Sequence, residues 1–263
     1  MIIQEISIAG SGNMAFYLAR VFKRNNILVK KIISRNIDEV KRLAKICYAE
    51  YFSIDKVRDI EETLVLAVSD TAIEEVCEQL LQKIARKKFQ SLLHTAGSTS
   101  IDVLEKFTDY PGVFYPFQTL KKDEEQVSSN IPIFIETRDA AYLEAVKKIA
   151  NSISSNVYEM NSEDRKYLHL AAVFACNFSN HMYTLANEIC NEISVDFSVM
   201  HHLIKKTIEN AVELGPDKAQ TGPAARGDSV VMNDHLNLLR EMGKYDDIYK
   251  KISESIQGLI GKE

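Results

Sequence analysis

The sequence predicts an α/β fold: a mostly parallel sheet over residues 1–160, followed by a second, all-α helical domain over residues 161–263. Three observations carry this expectation. Apolar, β-rich runs and stretches of helical periodicity succeed one another along the first part of the chain. The run Leu64-Val65-Leu66-Ala67-Val68 is apolar without alternation, as expected where helices cover both faces of a parallel sheet. From Ser162 onward the pattern is helical.

The first element is the apolar run at residues 2–8, which leads into Ala9-Gly10-Ser11-Gly12-Asn13-Met14-Ala15. Gly10 permits a sharp strand-to-helix turn, Gly12 removes the Cβ that would block a pyrophosphate, and Ala15 still allows close helix–strand packing. The helix that opens near Asn13 shows Met14, Leu18, Val21 and Phe22 at helical spacing. Its first turn would offer free N–H groups and the positive end of its dipole to phosphates. The next β-rich run, residues 27–33, arrives within a normal βαβ length. Together these make a Rossmann-type dinucleotide site with Gly10, Ser11, Gly12, Asn13 and Met14 as candidate cofactor contacts.

The second strand ends at Ser34-Arg35-Asn36, where an NAD site usually offers an acid to the ribose 2′-hydroxyl. Arg35 beside a serine hydroxyl suits a 2′-phosphate instead, so Ser34 and Arg35 point to NADP. The plain alternative for Arg35 is a solvated surface charge. Asn36 and Glu39 stand at capping-box spacing, which places Asp38 and Glu39 in the first turn of a helix.

The strand at residues 64–68 stops at Ser69-Asp70-Thr71; Thr71 and Glu74 form a further cap signature, and the Val68-Ser69 backbone is placed to border the nicotinamide end. A strand at residues 91–95 is followed by the small polar loop Ala96-Gly97-Ser98-Thr99-Ser100, and Val113-Phe114-Tyr115 runs into Pro116-Phe117-Gln118-Thr119. Residues 121–130 read as a solvated connection. Residues 131–136 form a further strand, which Pro132 places at an edge. A helix over residues 139–150 and a short strand at 157–159 close the domain. The turns after the parallel strands all lie at the carboxyl edge, where open α/β sheets bind ligands. Gly97, Ser98 and Gln118 are therefore the candidate substrate contacts on this side.

Residues 162–191 could form one rod of ~45 Å at 1.5 Å per residue. Its middle, residues 168–178, is apolar nearly all round and needs covering by other helices, the nucleotide domain or a second subunit. His169, Asn177 and Asn180 interrupt it, and buried polar groups there need partners. After a helix over residues 197–213, the segment 215–228 carries two Gly-Pro breaks, with Asp228 as cap of a helix through about Glu241. Within it, Thr221 and Arg226 either belong to a simple connector or reach a carboxylate or phosphate.

Composition excludes several classes. The net charge is −5, with 46% hydrophobic and 26% charged residues, and no Lys/Arg stripe interleaves with aromatics, so nucleic acid is not an expected partner. No apolar run approaches membrane-spanning length and no signal peptide is evident, which predicts a cytoplasmic protein with no membrane partner. Cys47, Cys77, Cys176 and Cys190 are widely spaced and read as reduced and mostly buried. Adjacent His201 and His202 cannot close on one ion, so no metal is expected.

Gly10-Ser11-Gly12-Asn13-Met14-Ala15 resembles the nucleotide turn of the pyrroline-5-carboxylate reductases, within the β-hydroxyacid and 6-phosphogluconate dehydrogenase superfamily, and Ser34-Arg35 resembles their NADP-selecting strand end. His94-Thr95-Ala96-Gly97-Ser98, Tyr115-Pro116-Phe117-Gln118-Thr119, Tyr167-Leu168-His169 through Asn177-Phe178, and Thr221-Gly222-Pro223-Ala224-Ala225-Arg226-Gly227-Asp228 resemble an uncharacterised subgroup. That subgroup joins a Rossmann domain to a helical domain of unknown function and is labelled as NADP oxidoreductases. Two positions depart from the pattern. Val173 stands four before Asn177, where β-hydroxyacid dehydrogenases carry a catalytic lysine. Tyr115 stands where a histidine is expected in the subgroup, which weakens a proton-transfer role for that strand end.

The resemblance implies an NADPH-dependent oxidoreductase that transfers hydride to a small C=N or C=O substrate carrying an acid group. His169 is the titratable candidate for proton donor, with Asn177 beside it on the long helix, although a hydrogen-bonded core histidine is the plain alternative. Arg226 would hold the acid group, reaching over from a partner in a homodimer built through the helical domain. The alternative is an NADP-binding sensor or scaffold without turnover, motivated by the missing lysine. A third reading puts a deazaflavin in place of nicotinamide.

Overall fold

In the computed structural model, residues 3–124 and 130–260 are described; part of the connection at residues 121–130 therefore lies outside them. Contacts divide the chain into two units, Met1–Cys176 and Asn177–Glu263.

The elements of the first unit are β1 (Glu5–Ala9), α1 (Asn13–Arg24), β2 (Leu28–Ile33), α2 (Ile37–Cys47), β3 (Glu50–Phe52), β4 (Thr63–Leu66), α3 (Ile73–Leu81), β5 (Leu92–His94) and β6 (Pro111–Pro116). They continue with β7 (Ile133–Thr137), α4 (Ala140–Ile153), β8 (Val157–Glu159) and α5 (Ser162–Ala172). Helices follow β1, β2 and β4, while β3 runs on to β4 without a helix. The strands form one sheet in the order β3-β2-β1-β4-β5-β6-β7-β8. Neighbours are parallel except β6 and β7, which are antiparallel. This is the Rossmann order, with its switch point between β1 and β4.

The apolar strands serve both faces by the two-residue period of a strand. Ile6, Ile8, Val65 and Phe114 pack with Leu18, Phe22, Val40, Leu43, Tyr142 and Val146 of α1, α2 and α4. Ala9, Ile33, Leu64, Leu66 and Leu92 face the other way, against Ile73, Val76, Cys77 and Leu80 of α3. The absence of polar alternation in residues 64–68 thus reflects a sheet covered on both sides.

Two expectations fail here. Pro132 does not mark an edge, because β7 lies between β6 and β8. The proline sits just before the strand, where its missing N–H costs no ladder bond, and its carbonyl accepts from Phe117 N at 2.8 Å. Nor does Thr71 cap a helix: Asp70–Ala72 form a 3-10 turn, and α3 begins after it without a side-chain cap. The other two expected caps are made: Asn36 accepts from Glu39 N at 3.2 Å and Asp228 from Val231 N at 3.2 Å; Asp139, read only as a helix start, also caps by accepting from Tyr142 N at 2.7 Å.

The rod beginning at Ser162 is helical but not uniform. A π-helical turn, Val173–Phe178, separates α5 from α6 (Ser179–Glu192), and the boundary between the two units falls inside it. Large apolar side chains of the stretch are exposed, Leu170 by 51% and Phe174 by 63%.

The second unit is all-helical. It comprises α6, α7 (His201–Leu214), α8 (Pro216–Ala219), α9 (Pro223–Arg226), α10 (Ser229–Glu241) and α11 (Asp246–Ile260). The segment expected to be a shaped loop holds two one-turn helices. Each starts with proline after a glycine of positive φ, +86° at Gly215 and +105° at Gly222. His235 Nδ1 and Tyr249 Oη, 2.9 Å apart, join α10 to α11.

Among the described residues, no helix is long and apolar enough to cross a membrane. Among the same residues, no group of three or more His, Cys, Asp or Glu is placed to hold a metal ion. The cysteines are free; Cys47, Cys77 and Cys190 are buried and Cys176 is exposed.

Candidate functional site

Gly10 and Gly12 shape the turn after β1 in different ways. Gly10 donates to Ile33 O at 2.8 Å and has a φ of +133°; a Cβ there would lie 2.1 Å from Ala67 O. Only glycine lets the turn pass so close to the end of β4. Gly12 is the N-cap of α1, and a Cβ on it would meet nothing within 4 Å. It therefore opens space, and it does so at a helix N-terminus that no side chain caps. Free N–H groups, the positive dipole end and bare backbone fit a pyrophosphate.

That space is a cleft of about 370 Å³ lined by Gly10, Ser11, Gly12, Asn13, Met14, Ser34, Arg35, Val68 and Ser69, with Ile33, Ile54, Ala67, Ala72 and Val76 completing its wall. All nine cofactor contacts expected from the sequence come together there. Ser11 Oγ and Ser34 Oγ, 2.9 Å apart, tie the glycine turn to the end of β2. Arg35 is exposed and has no ion-pair partner among the described residues, so its charge is available to a phosphate. The Asn13 side chain donates to Leu120 O at 2.8 Å, which commits it to anchoring the segment after β6.

Asp70 follows directly on Ser69 of the cleft wall. Its carboxylate accepts from Ser98 Oγ and, at 3.1 Å, from Thr99 Oγ1, so it holds the loop after β5 in place. The same loop is held from below by Arg165, which is fully buried. The guanidinium donates to Glu136 Oε2, to Thr99 O at 2.6 Å and to Ser162 Oγ at 3.1 Å. Ser162 Oγ in turn donates to Glu136 at 2.7 Å and accepts from Ile101 N at 3.0 Å. Arg165 Nε is buried without a hydrogen-bond partner, but the two terminal nitrogens make this buried ion pair a structural clamp.

The clamp sets the register of α5 against β6. Glu136 lies opposite Val113, and Tyr115 is two residues further along that strand, about 7 Å at a strand's rise. His169 lies four residues beyond Arg165, ~6 Å at a helix's rise. The two side chains meet: Tyr115 Oη and His169 Nδ1 are 3.0 Å apart. Gly97 is pressed against both, since a Cβ there would lie 2.5 Å from His169 Nδ1 and 2.8 Å from Tyr115 Cζ.

His94, at the end of β5, has a different character. Burial, and then the nearby Arg165 charge, lower its pKa to about 3. It is therefore neutral, with Nδ1 accepting from Ala96 N at 3.2 Å, and it supports the loop as a structural residue.

Of the substrate contacts expected on this side, Gly97 and Ser98 belong to the clamped loop, whereas Gln118 is exposed beyond the strand end. Asn177, Thr221 and Arg226 are exposed and belong to the second unit. Three residues that structure the site were missed or discounted. Asp70 passes for a helix-start acid. Arg165 sits in an ordinary charged first turn. Tyr115 was set aside for standing where histidine was expected. Their partners lie 28, 29 and 54 residues away in sequence, beyond the reach of any local pattern.

Comparison with known proteins agrees with this architecture. The family described as "NADP oxidoreductase coenzyme F420-dependent" matches residues 5–90, and a domain of unknown function matches residues 131–256. A Bacteroides fragilis protein of known structure, named as a candidate NADP oxidoreductase, is 36% identical to this chain. It superposes with a TM-score of 0.89 over 97% of this chain and 98% of its own. The chain belongs to this family of Rossmann-fold NADP oxidoreductases with a C-terminal helical domain. The second family match begins at β7, so the end of the sheet goes with the helices in sequence although it packs in the first unit. Two further structures share the fold. A Thermotoga maritima protein is 23% identical, with a TM-score of 0.81 over 98% of this chain and all (100%) of its own. An Aspergillus terreus reductive aminase, determined with NADPH, is 14% identical, with a TM-score of 0.72 over 99% and 94%. No curated protein matches the chain.

Proposed function

We propose that this NADP oxidoreductase reduces a small C=N or C=O substrate that carries an acid group, as pyrroline-5-carboxylate reductases and hydroxyacid dehydrogenases do. The observation that carries the reading is a chain of contacts: the cleft holds the bare glycine turn, Arg35 and Val68-Ser69, the next residue Asp70 binds the loop at Ser98, and that loop packs at Gly97 against Tyr115 and His169. Backbone N–H groups at Gly12 to Met14 would hold the pyrophosphate, and Ser34 and Arg35 the 2′-phosphate. When bound, NADPH supplies the hydride.

The protein orients the reacting carbon between Gly97, Ser98 and Gln118 and provides the proton from His169. In a homodimer, Arg226 of a partner copy, assisted by Thr221, is the candidate for the substrate's acid group, and Asn177 remains a candidate on the long helix. A second copy of the chain covers the helical unit, because Leu203, Ile208 and Val212 of α7 are 52–80% exposed. Light scattering should give a homodimer, and a monomer at micromolar concentration would rule out that assembly.

Oxidation of NADPH, followed by absorbance across imino and keto acids, tests the reaction. Arg35→Ala should weaken NADPH by about tenfold while leaving NADH unchanged, consistent with the loss of one charge-assisted contact. An unaltered preference between the two coenzymes refutes the 2′-phosphate contact. Binding without oxidation across the panel favours the sensor reading, which Val173 in the lysine position supports. A deazaflavin as hydride partner is a separate arm of the panel, prompted by the coenzyme F420-dependent family that matches residues 5–90.

A further inference from the structure

We propose that Tyr115 is a positioning residue that fixes the tautomer of His169, so that the imidazole presents its Nε2 proton to the substrate. This rests on the reading of His169 as the proton donor. The Tyr115 hydroxyl lies 3.0 Å from Nδ1, with the rings at 61° to each other. Burial first, and then the charge of Asp70, push the Tyr115 pKa up to about 12, so the hydroxyl keeps its hydrogen throughout the neutral range. Among the described residues Nδ1 is the acceptor within reach of that hydrogen, which makes the hydroxyl the donor in the resting pair. With the hydroxyl donating, the resting neutral imidazole accepts at Nδ1 and carries its hydrogen on Nε2.

The packing closes off the same edge of the ring. Gly97 lies against Nδ1 and Cγ so tightly that its Cβ would come within 2.5 Å and 2.8 Å of them. Tyr115 occupies what remains of that edge. Nε2, at the opposite side of a half-buried ring, is the nitrogen a substrate can reach.

The protonated ring extends the argument. A proton gained from water gives an imidazolium whose Nδ1–H donates to the lone pairs of Tyr115 Oη. In the reductive step the substrate carbon receives the hydride. The Nε2–H bond breaks, and its proton forms the new O–H or N–H bond. His169 is left neutral with hydrogen on Nδ1, still bonded to Tyr115. Exchange with water restores the Nε2–H form, which the Tyr115 hydroxyl again selects.

Long-range ¹H–¹⁵N correlation spectra of the full-length protein with labelled histidine read the tautomer directly. His169→Gln identifies the resonance. At about pH 9, where an unperturbed imidazole is neutral, the wild type should show a pyridine-like Nδ1 and a pyrrole-like Nε2. Tyr115→Phe should move both nitrogens towards an average of the two forms, and at limiting substrate should slow turnover while NADPH affinity stays the same. A pyrrole-like Nδ1 in the wild type overturns the proposal, as does a spectrum that Tyr115→Phe leaves unchanged. If Tyr115→Phe fails to fold, the wild-type spectrum alone still decides. The spectrum needs no substrate, so its failure is separable from a failure to find NADPH oxidation.

Discussion

Gly12→Asp should leave the protein folded and lower its affinity for NADPH at least ~100-fold, or about 3 kcal/mol. A side chain at Gly12 meets nothing within 4 Å, so the substitution strains nothing in the protein itself. The carboxylate would enter the space shaped for the pyrophosphate, repel it, and take up the N–H groups at the start of α1. Gly10→Ala is the internal contrast. There the new methyl would collide with Ala67 O in a backbone conformation that L-residues rarely adopt, so stability falls instead. Fluorescence titration of NADPH beside thermal unfolding separates the two. Wild-type affinity in Gly12→Asp would refute the cleft as the dinucleotide site.

Arg165→Met should destabilise the protein by about 3–5 kcal/mol, because it strands a buried carboxylate. Glu136, only 10% exposed at its side chain, would keep Ser162 as its hydrogen-bond donor in the clamp, and Thr99 O would lose the guanidinium. For a chain of this size the melting temperature should fall by roughly 10 °C. The double substitution Arg165→Met, Glu136→Leu should recover part of the loss, since an apolar pair no longer leaves a lone charge behind. A melting temperature unchanged within experimental error in Arg165→Met would show that the clamp adds nothing to stability.

What the sequence made legible was governed by neighbours a few residues apart. The glycine turn, the caps at Asn36 and Asp228 and the apolar runs of the sheet each depend on local sterics and hydrogen bonds, and each forms as read. Thr71 misled because its spacing to Glu74 fits a capping box, whereas Asp70 beside it binds Ser98 and Thr99 of the loop after β5. Pro132 misled because one position decides whether a proline interrupts a strand or merely precedes it. The π-helical turn has no compositional mark, since an extra residue in a helix is decided by what packs around it. That nine expected residues would line one cleft was legible because a βαβ unit carries them in one short stretch and two strand ends. Tyr115 and Arg165 were not, because each acquires its role only when a strand and a helix far apart in the chain are laid side by side.

The meeting of Tyr115 with His169 works like a vernier. Two scales of unequal pitch, one strand and one helix, are pinned at Glu136 and Arg165 and come into coincidence a few divisions later. Inserting or deleting one residue between 165 and 169 would turn the helix by about 100° and carry the imidazole off the mark. The side chains at this point can therefore be swapped without moving the fold, while the count of residues between pin and coincidence must stay constant.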